Sequence, residues 1–179
     1  MPSRRRDLPF PGSDAVLDSY LNRKHEFEVL PMASADCAAV SVLHGERFPR
    51  GWGDGEFHSL LSQQSVFGFV ARQTTGLFKP PLAGFVLTRE AAGEAEILTI
   101  AVSSKLQRSG LGWRLMQAAM RECGTRGGKS LFLEVDDGNH PALGLYRKLG
   151  FEKVGERPAY YTGPDGKRST ALVMRRVLG

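Results

Sequence analysis

Two cysteines in 179 residues, Cys37 and Cys123, are too few and too far apart for a disulfide framework or a CxxC metal knuckle. No metal site is expected. No apolar run approaches the roughly 18–20 residues that span a bilayer, and no apolar signal-peptide core follows the basic start Met1–Asp7. These absences predict a reduced, cytoplasmic protein with no membrane role. Neither sign of charge dominates: 24 Lys and Arg against 19 Asp and Glu leave +5. That surplus suits a phosphate-bearing ligand but is too small to mark a nucleic-acid binder, so no direct nucleic-acid role is expected. Internal repeats and low-complexity segments are also missing.

What is present is the composition of one globular domain. Hydrophobic residues make up 41% and charged residues 24%, ordinary values for a folded chain. A chain of this length buries roughly 70% of its unfolded surface and needs no covalent staple. Residues 1–24, with Arg4-Arg5-Arg6 and two early prolines, read as a basic tail with at most a short helix near 13–21. The domain proper is 25–179.

Hydrophobic spacing gives the element order. Glu26–Leu30 reads as a strand. A helix capped by Ser34 runs to about Arg47, and a second, short helix covers 56–62 after a Gly-rich loop. Strands follow at 66–72, 82–89 and 94–102, the last apolar enough to be buried on both faces. Leu111, Leu115 and Ala119 mark the core stripe of a helix over about 110–123, which Gly124, Gly127 and Gly128 close. A strand covers 129–135. Asn139 caps a further helix, with Pro141 in its first turn and Gly150 at its end. Two strands, 151–154 and 170–176, finish the chain around a Gly-Pro-Asp-Gly turn at 163–166. The pattern β-α-α-β-β-β-α-β-α-β-β implies a mixed α/β domain with helices packed on a central sheet.

The first chemistry lies where the strand 94–102 turns into the long helix. Gln107-Arg108-Ser109-Gly110-Leu111-Gly112 places two glycines and the free N–H groups of a helix start in one polar turn, with Lys105 and Arg108 adding charge. Such a turn cradles an anion, and a pyrophosphate suits it. It lacks the Gly-Lys-Ser/Thr of a Walker A loop, and Leu115 breaks the dinucleotide fingerprint. The competing reading is an ordinary strand-to-helix turn with glycines for packing.

Gln107-Arg108-Ser109-Gly110-Leu111-Gly112 matches the Q/R-x-x-G-x-G/A motif, and here the chain resembles the GNAT superfamily of acetyl-CoA-dependent N-acetyltransferases. Ala95–Val102, Leu131–Val135, Asn139, Leu145-Tyr146, Gly150-Phe151 and Tyr160-Tyr161 make it similar to the RimI group, whose members acetylate the N-terminal amine of a ribosomal protein. The resemblance covers about 26–177. It implies the GNAT three-layer fold, with a mixed, mostly antiparallel sheet of six or seven strands and about four helices. It further implies acetyl-CoA as cofactor and a protein or peptide N-terminus as partner. Gln107, Arg108, Ser109, Gly110, Leu111 and Gly112 would hold the CoA pyrophosphate, Ile100, Ala101 and Val102 the pantetheine arm, and Asn139 a further part of the cofactor.

Acetyl transfer needs a neutral amine, a stabilised oxyanion and a proton for the leaving thiolate. An α-amine (pKa about 7.7–8.0) is easier to deprotonate than a lysine (about 10.4) by roughly 3.5 kcal/mol. Glu134, a carboxylate inside the apolar strand Leu131–Val135, is the candidate base; the competing reading is a salt-bridged strand glutamate. Glu96 is the rival base, and the RimI resemblance favours Glu134. Tyr146 is the candidate acid, reaching the sulfur from its helix, or else a packed aromatic. Tyr160 and Tyr161 are candidate acceptor-pocket residues, or else strand aromatics, and Trp52 in the loop 48–57 joins them. Pro49 and Trp52 are spaced wider than in RimI-like chains, and Gly53 replaces a hydroxyl residue there. The four histidines at 25, 44, 58 and 140 do not cluster. Cys123 falls on a core face, so direct attack in a ternary complex is expected rather than a covalent acyl-enzyme. The alternatives are a small-molecule amine or lysine acceptor on the same fold, or a catalytically silent acyl-CoA-binding module.

Overall fold

A computed structural model describes residues 27–74, 82–162 and 168–179, without the side chains of 161 and 162. The basic tail and the Gly-Pro-Asp-Gly turn lie outside the described residues. The elements are β1 (Phe27–Pro31), α1 (Cys37–Arg47), α2 (Asp54–Leu61), β2 (Val66–Gln73), β3 (Gly84–Ala91), β4 (Glu94–Val102), α3 (Leu111–Thr125), β5 (Ser130–Asp136), α4 (His140–Lys148), β6 (Glu152–Thr162) and β7 (Arg168–Val177). The order is the one the sequence implies. The strands form one sheet, β1-β2-β3-β4-β5-β7-β6. Among the described residues every neighbouring pair is antiparallel except β4 with β5.

Each face of the sheet has its own core. On one face α3 and α4 cover Ala95, Ile97, Leu131, Leu133 and Val135. On the other, α1 and α2 cover Val66, Val70, Phe85, Leu87 and Ala101. Strand β4 feeds both cores, because a bulge opposite Leu87 and Thr88 reverses its alternation at Leu98. The α1–α2 layer ends at β4. Phe132, Glu134 and Val173, further along the same face, stay half-buried.

Helix α3 buries Leu111, Leu115, Met116, Ala118, Ala119 and Cys123. It ends in a Schellman motif: Gly128 N–H donates to Cys123 O (2.8 Å), Gly127 N–H donates to Gly124 O (3.0 Å), and Gly127 takes φ +87°. Cys123 sits wholly in the core, and burial pushes its thiol up to about 12.

Two expectations need correction. Ser34 does not cap the first helix. Residues 34–36 form a 3₁₀ turn, and Ala33 N–H donates to Asp36 Oδ2 (2.8 Å) while Arg72 on β2 pairs with Oδ1. A carboxylate has two oxygens, so Asp36 closes the turn and ties it to the sheet at once. Strand β6 does not stop at 154 but runs to Thr162. Pro158 is tolerated there because β6 is an edge strand and needs no second ladder.

His44 is buried between the rings of Phe48 (4.3 Å) and Trp52 (5.0 Å), and its Nδ1 accepts from Trp52 N–H (3.0 Å). That bond places the proton of the neutral ring on Nε2. Burial holds its pKa below the ordinary histidine value. The unfolded chain therefore binds the proton first, so stability is full above about pH 6.5 and falls as pH drops below it. In His44→Asn, whose Oδ1 replaces Nδ1 as acceptor, urea midpoints between pH 7 and 5 should decline less steeply than in wild type. Parallel curves would refute this.

Candidate active site

The site starts from a pairing that stops early. Strands β4 and β5 are in register at Glu94–Ser130, Ala95–Leu131 and Glu96–Phe132, and nowhere beyond. Each continues on its other side, β4 along β3 to Val102 and β5 along β7 to Asp136. Their carboxyl ends therefore diverge and leave an open edge on β4 from Ile97 onward. In open sheets such a crevice at the carboxyl ends of parallel strands is where ligands bind.

The helix that follows each strand starts beside this cleft. Before α3, Arg108 (φ +61°) and Gly110 (φ +81°) both take left-handed backbone. Arg114 N–H is bonded to Gly110 O (3.1 Å), so the amides of Leu111, Gly112 and Trp113 precede the first intrahelical bond. Gln107, Arg108, Ser109 and Gly110 are exposed, whereas the Leu111 side chain is core. Ser109 Oγ donates to Leu106 O (2.6 Å), which stiffens the turn. A Cβ on Gly112 would stand 3.1 Å from Leu145 Cδ2, so this glycine also brings α3 against α4. Ile100 and Val102 pack on the α3–α4 core and Ala101 on the other.

At the start of α4, Asn139 Oδ1 accepts from Ala142 N–H (3.3 Å), the capping role the sequence implies. Asp136 fixes the approach, accepting from Gly138 N–H (2.8 Å) and from Ser169 on β7. Tyr146, one turn and a half into α4, is buried on the α3–α4 side with Phe151 against it (5.9 Å).

Glu134 points to the opposite face, into a groove of about 390 Å³ shared with Arg89, Glu94, Glu96, Phe132 and Arg157. It is not enclosed by apolar groups as expected. Its side chain is 23% exposed, and Oε1 lies 3.1 Å from Arg157 Nη2, so the salt-bridged reading describes its state here. Glu96, exposed, lines the same groove. Glu134 and Tyr146 thus belong to opposite faces, and the β4–β5 cleft is the passage between those faces. Tyr160 is 53% exposed on β6, with its ring 5.6 Å from the Arg157 guanidinium. Tyr161 is paired with Ser169, and its side chain lies outside the described residues. Trp52 is not in the groove. It belongs to the aromatic stack with His44 and Phe57, its carbonyl held by Ser41 Oγ (2.9 Å). Arg157 was missed from the sequence because its reach to Glu134 depends on strand order.

This sheet, with its cleft and glycine turn, defines an acetyltransferase fold. The acetyltransferase (GNAT) family profile matches residues 37–151, and the chain belongs to that family. It is 38% identical over 140 residues to the ribosomal protein bS18-alanine N-acetyltransferase of Salmonella typhimurium, covering 75% of this chain and 94% of that protein. With the Escherichia coli K12 protein of the same name the match is 39% over 93 residues, 52% of this chain, and spans 62% of that relative's length. The crystal structure of the Escherichia coli ribosomal-protein-S18-alanine N-acetyltransferase superposes with a TM-score of 0.77 at 28% identity, covering 86% of this chain and 95% of that one. Arabidopsis thaliana NAA60, solved in complex with acetyl-CoA, shares the fold at 17% identity (TM-score 0.75, 86% and 99% covered). Among the described residues no helix is long and apolar enough to cross a membrane.

Gly110 has open space around its Cβ position but a left-handed φ. Gly110→Ala should therefore cost about 1 kcal/mol through backbone strain alone. Urea unfolding checks this, and an unchanged midpoint would count against the left-handed turn.

Proposed function

We propose that this protein is an acetyl-CoA-dependent N-acetyltransferase that acetylates the N-terminal α-amine of a protein, in the manner of the bS18-alanine enzymes it is similar to. The observation that carries the reading is the β4–β5 cleft, which lies between a helix start with free backbone donors on one side and a carboxylate groove on the other. The residues present fit acetyl-CoA. The free amides of Leu111, Gly112 and Trp113, with Gly110 and the exposed turn Gln107–Ser109, suit a diphosphate. The open edge of β4 at Ile97–Val102 suits an amide-bearing arm that pairs like a strand. When bound, acetyl-CoA supplies a thioester carbonyl to the cleft.

Glu134, on the groove side, takes the proton from the acceptor amine as the new C–N bond forms. Tyr146, on the helix side, gives its phenolic proton to the sulfur as the C–S bond breaks. Solvent returns the proton balance by reprotonating Tyr146 and deprotonating Glu134. An α-amine is partly neutral at pH 7, so one carboxylate suffices for this step. Glu96, on the adjacent strand of the same groove, is the second candidate for the proton. Cys123 takes no part: its thiol is enclosed and protonated, which supports direct attack over a covalent acyl-enzyme. Tyr160, exposed beside Arg157, is the acceptor-contact candidate on this side.

Calorimetry with CoA, and thiol release from acetyl-CoA with peptides of differing first residue, test the reading. Turnover with free α-amino peptides but not with blocked-N-terminus lysine peptides is expected. No heat with CoA would overturn it. Glu134→Gln should lower kcat about 10²–10⁴-fold with CoA affinity unchanged. Tyr146→Phe should slow turnover at least tenfold on the same scale, and full activity would remove it as the acid.

A further inference from the structure

Arg157 reaches Glu134 across a whole strand. Strand β7 lies between β5 and β6, so two interstrand steps of about 4.8 Å separate the two backbones. Glu134 stands beside Val173, Val173 beside Gly155, and Arg157 opposite Ala171. A glycine and an alanine flank the crossing, and the long Arg157 side chain spans it. Past Arg157 the β6–β7 register breaks and does not resume until Tyr161, with Ala159 at φ +54° inside the break. Arg157 is thus the last residue in regular register before the kink. Within the kink, Tyr160 brings its ring to 5.6 Å from the guanidinium.

Three glutamates line the groove. Glu94 and Glu96 line it too and have no ion-pair partner among the described residues. Both stand on β4, one strand further from Arg157 than Glu134 on β5, and the guanidinium pairs with Glu134. An arginine 58% exposed adds little to stability through such a pair, so stability does not account for the arrangement.

We infer that Arg157 is a positioning residue for acyl transfer and acts through Glu134. From the β7 side it binds Oε1, fixes the carboxylate in one orientation and leaves the second oxygen to receive the amine proton. When Glu134 becomes neutral in that step, the exposed guanidinium is solvated by water rather than stranded. A lysine would supply the charge as a shorter point cation without the planar fork that orients a carboxylate. This inference rests on the proposed function, and its test separates the two.

In the thiol-release assay, Arg157→Ala should lower kcat about tenfold to hundredfold, the cost of a misplaced catalytic group. Acceptor KM and CoA affinity should stay nearly constant. Arg157→Lys should retain part of the activity, and added guanidinium should restore part of it to Arg157→Ala, which a purely structural role would not allow. In a Glu134→Gln background, Arg157→Ala should cause no further loss, because the two act as one unit. Equal losses in both backgrounds, or full turnover by Arg157→Ala, would overturn the inference. Unaltered turnover by Glu134→Gln alone would instead overturn the base assignment on which it rests.

Discussion

The whole arrangement depends on a parallel strand pair that separates after three residue pairs. Strand β4 is held on one side by β3 through to Val102, and β5 by β7 through to Asp136. Both outer ladders run on past the point where the β4–β5 pairing ends. The cleft opens where the inner ladder stops, and the bulge at Leu98 falls on the freed stretch of β4. The glycine turn follows β4 and the Asn139 cap follows β5, so both stand at this opening.

The two faces contribute different things. On the α3–α4 side the helix starts supply backbone donors, and Gly112 lets the helices approach closely enough for both to border the gap. On the opposite side the α1–α2 layer stops at β4, which exposes Phe132, Glu134 and Val173 to a groove. In the proposed reaction the diphosphate-bearing substrate approaches from one side and the amine from the other. The sheet keeps them apart except at the cleft.

Local pattern made much of this legible. Among the described residues the order of the eleven strands and α-helices followed from hydrophobic period, and the glycine turn and the Asn139 cap stood where their residue types put them. Leu111, Leu115 and Ala119 proved core, as their spacing implied. What stayed hidden was what strand order creates. The Arg157–Glu134 pair joins residues 23 positions apart across an intervening strand that comes later in the chain. Asp36 displaced Ser34 as the organiser of the first turn because Arg72, far along the chain, supplied a second partner. The stacking of Trp52 on His44 was likewise hidden, because the linear sequence does not display the ring beneath it.

The two separate cores have an evolutionary corollary. Side chains on the α1–α2 face can drift without repacking Leu115, Met116 or Leu131 on the other. In the proposed reaction, a lineage can therefore remodel the amine side while conserving the turn assigned to the diphosphate. The divided interior lets each face of one scaffold vary by itself.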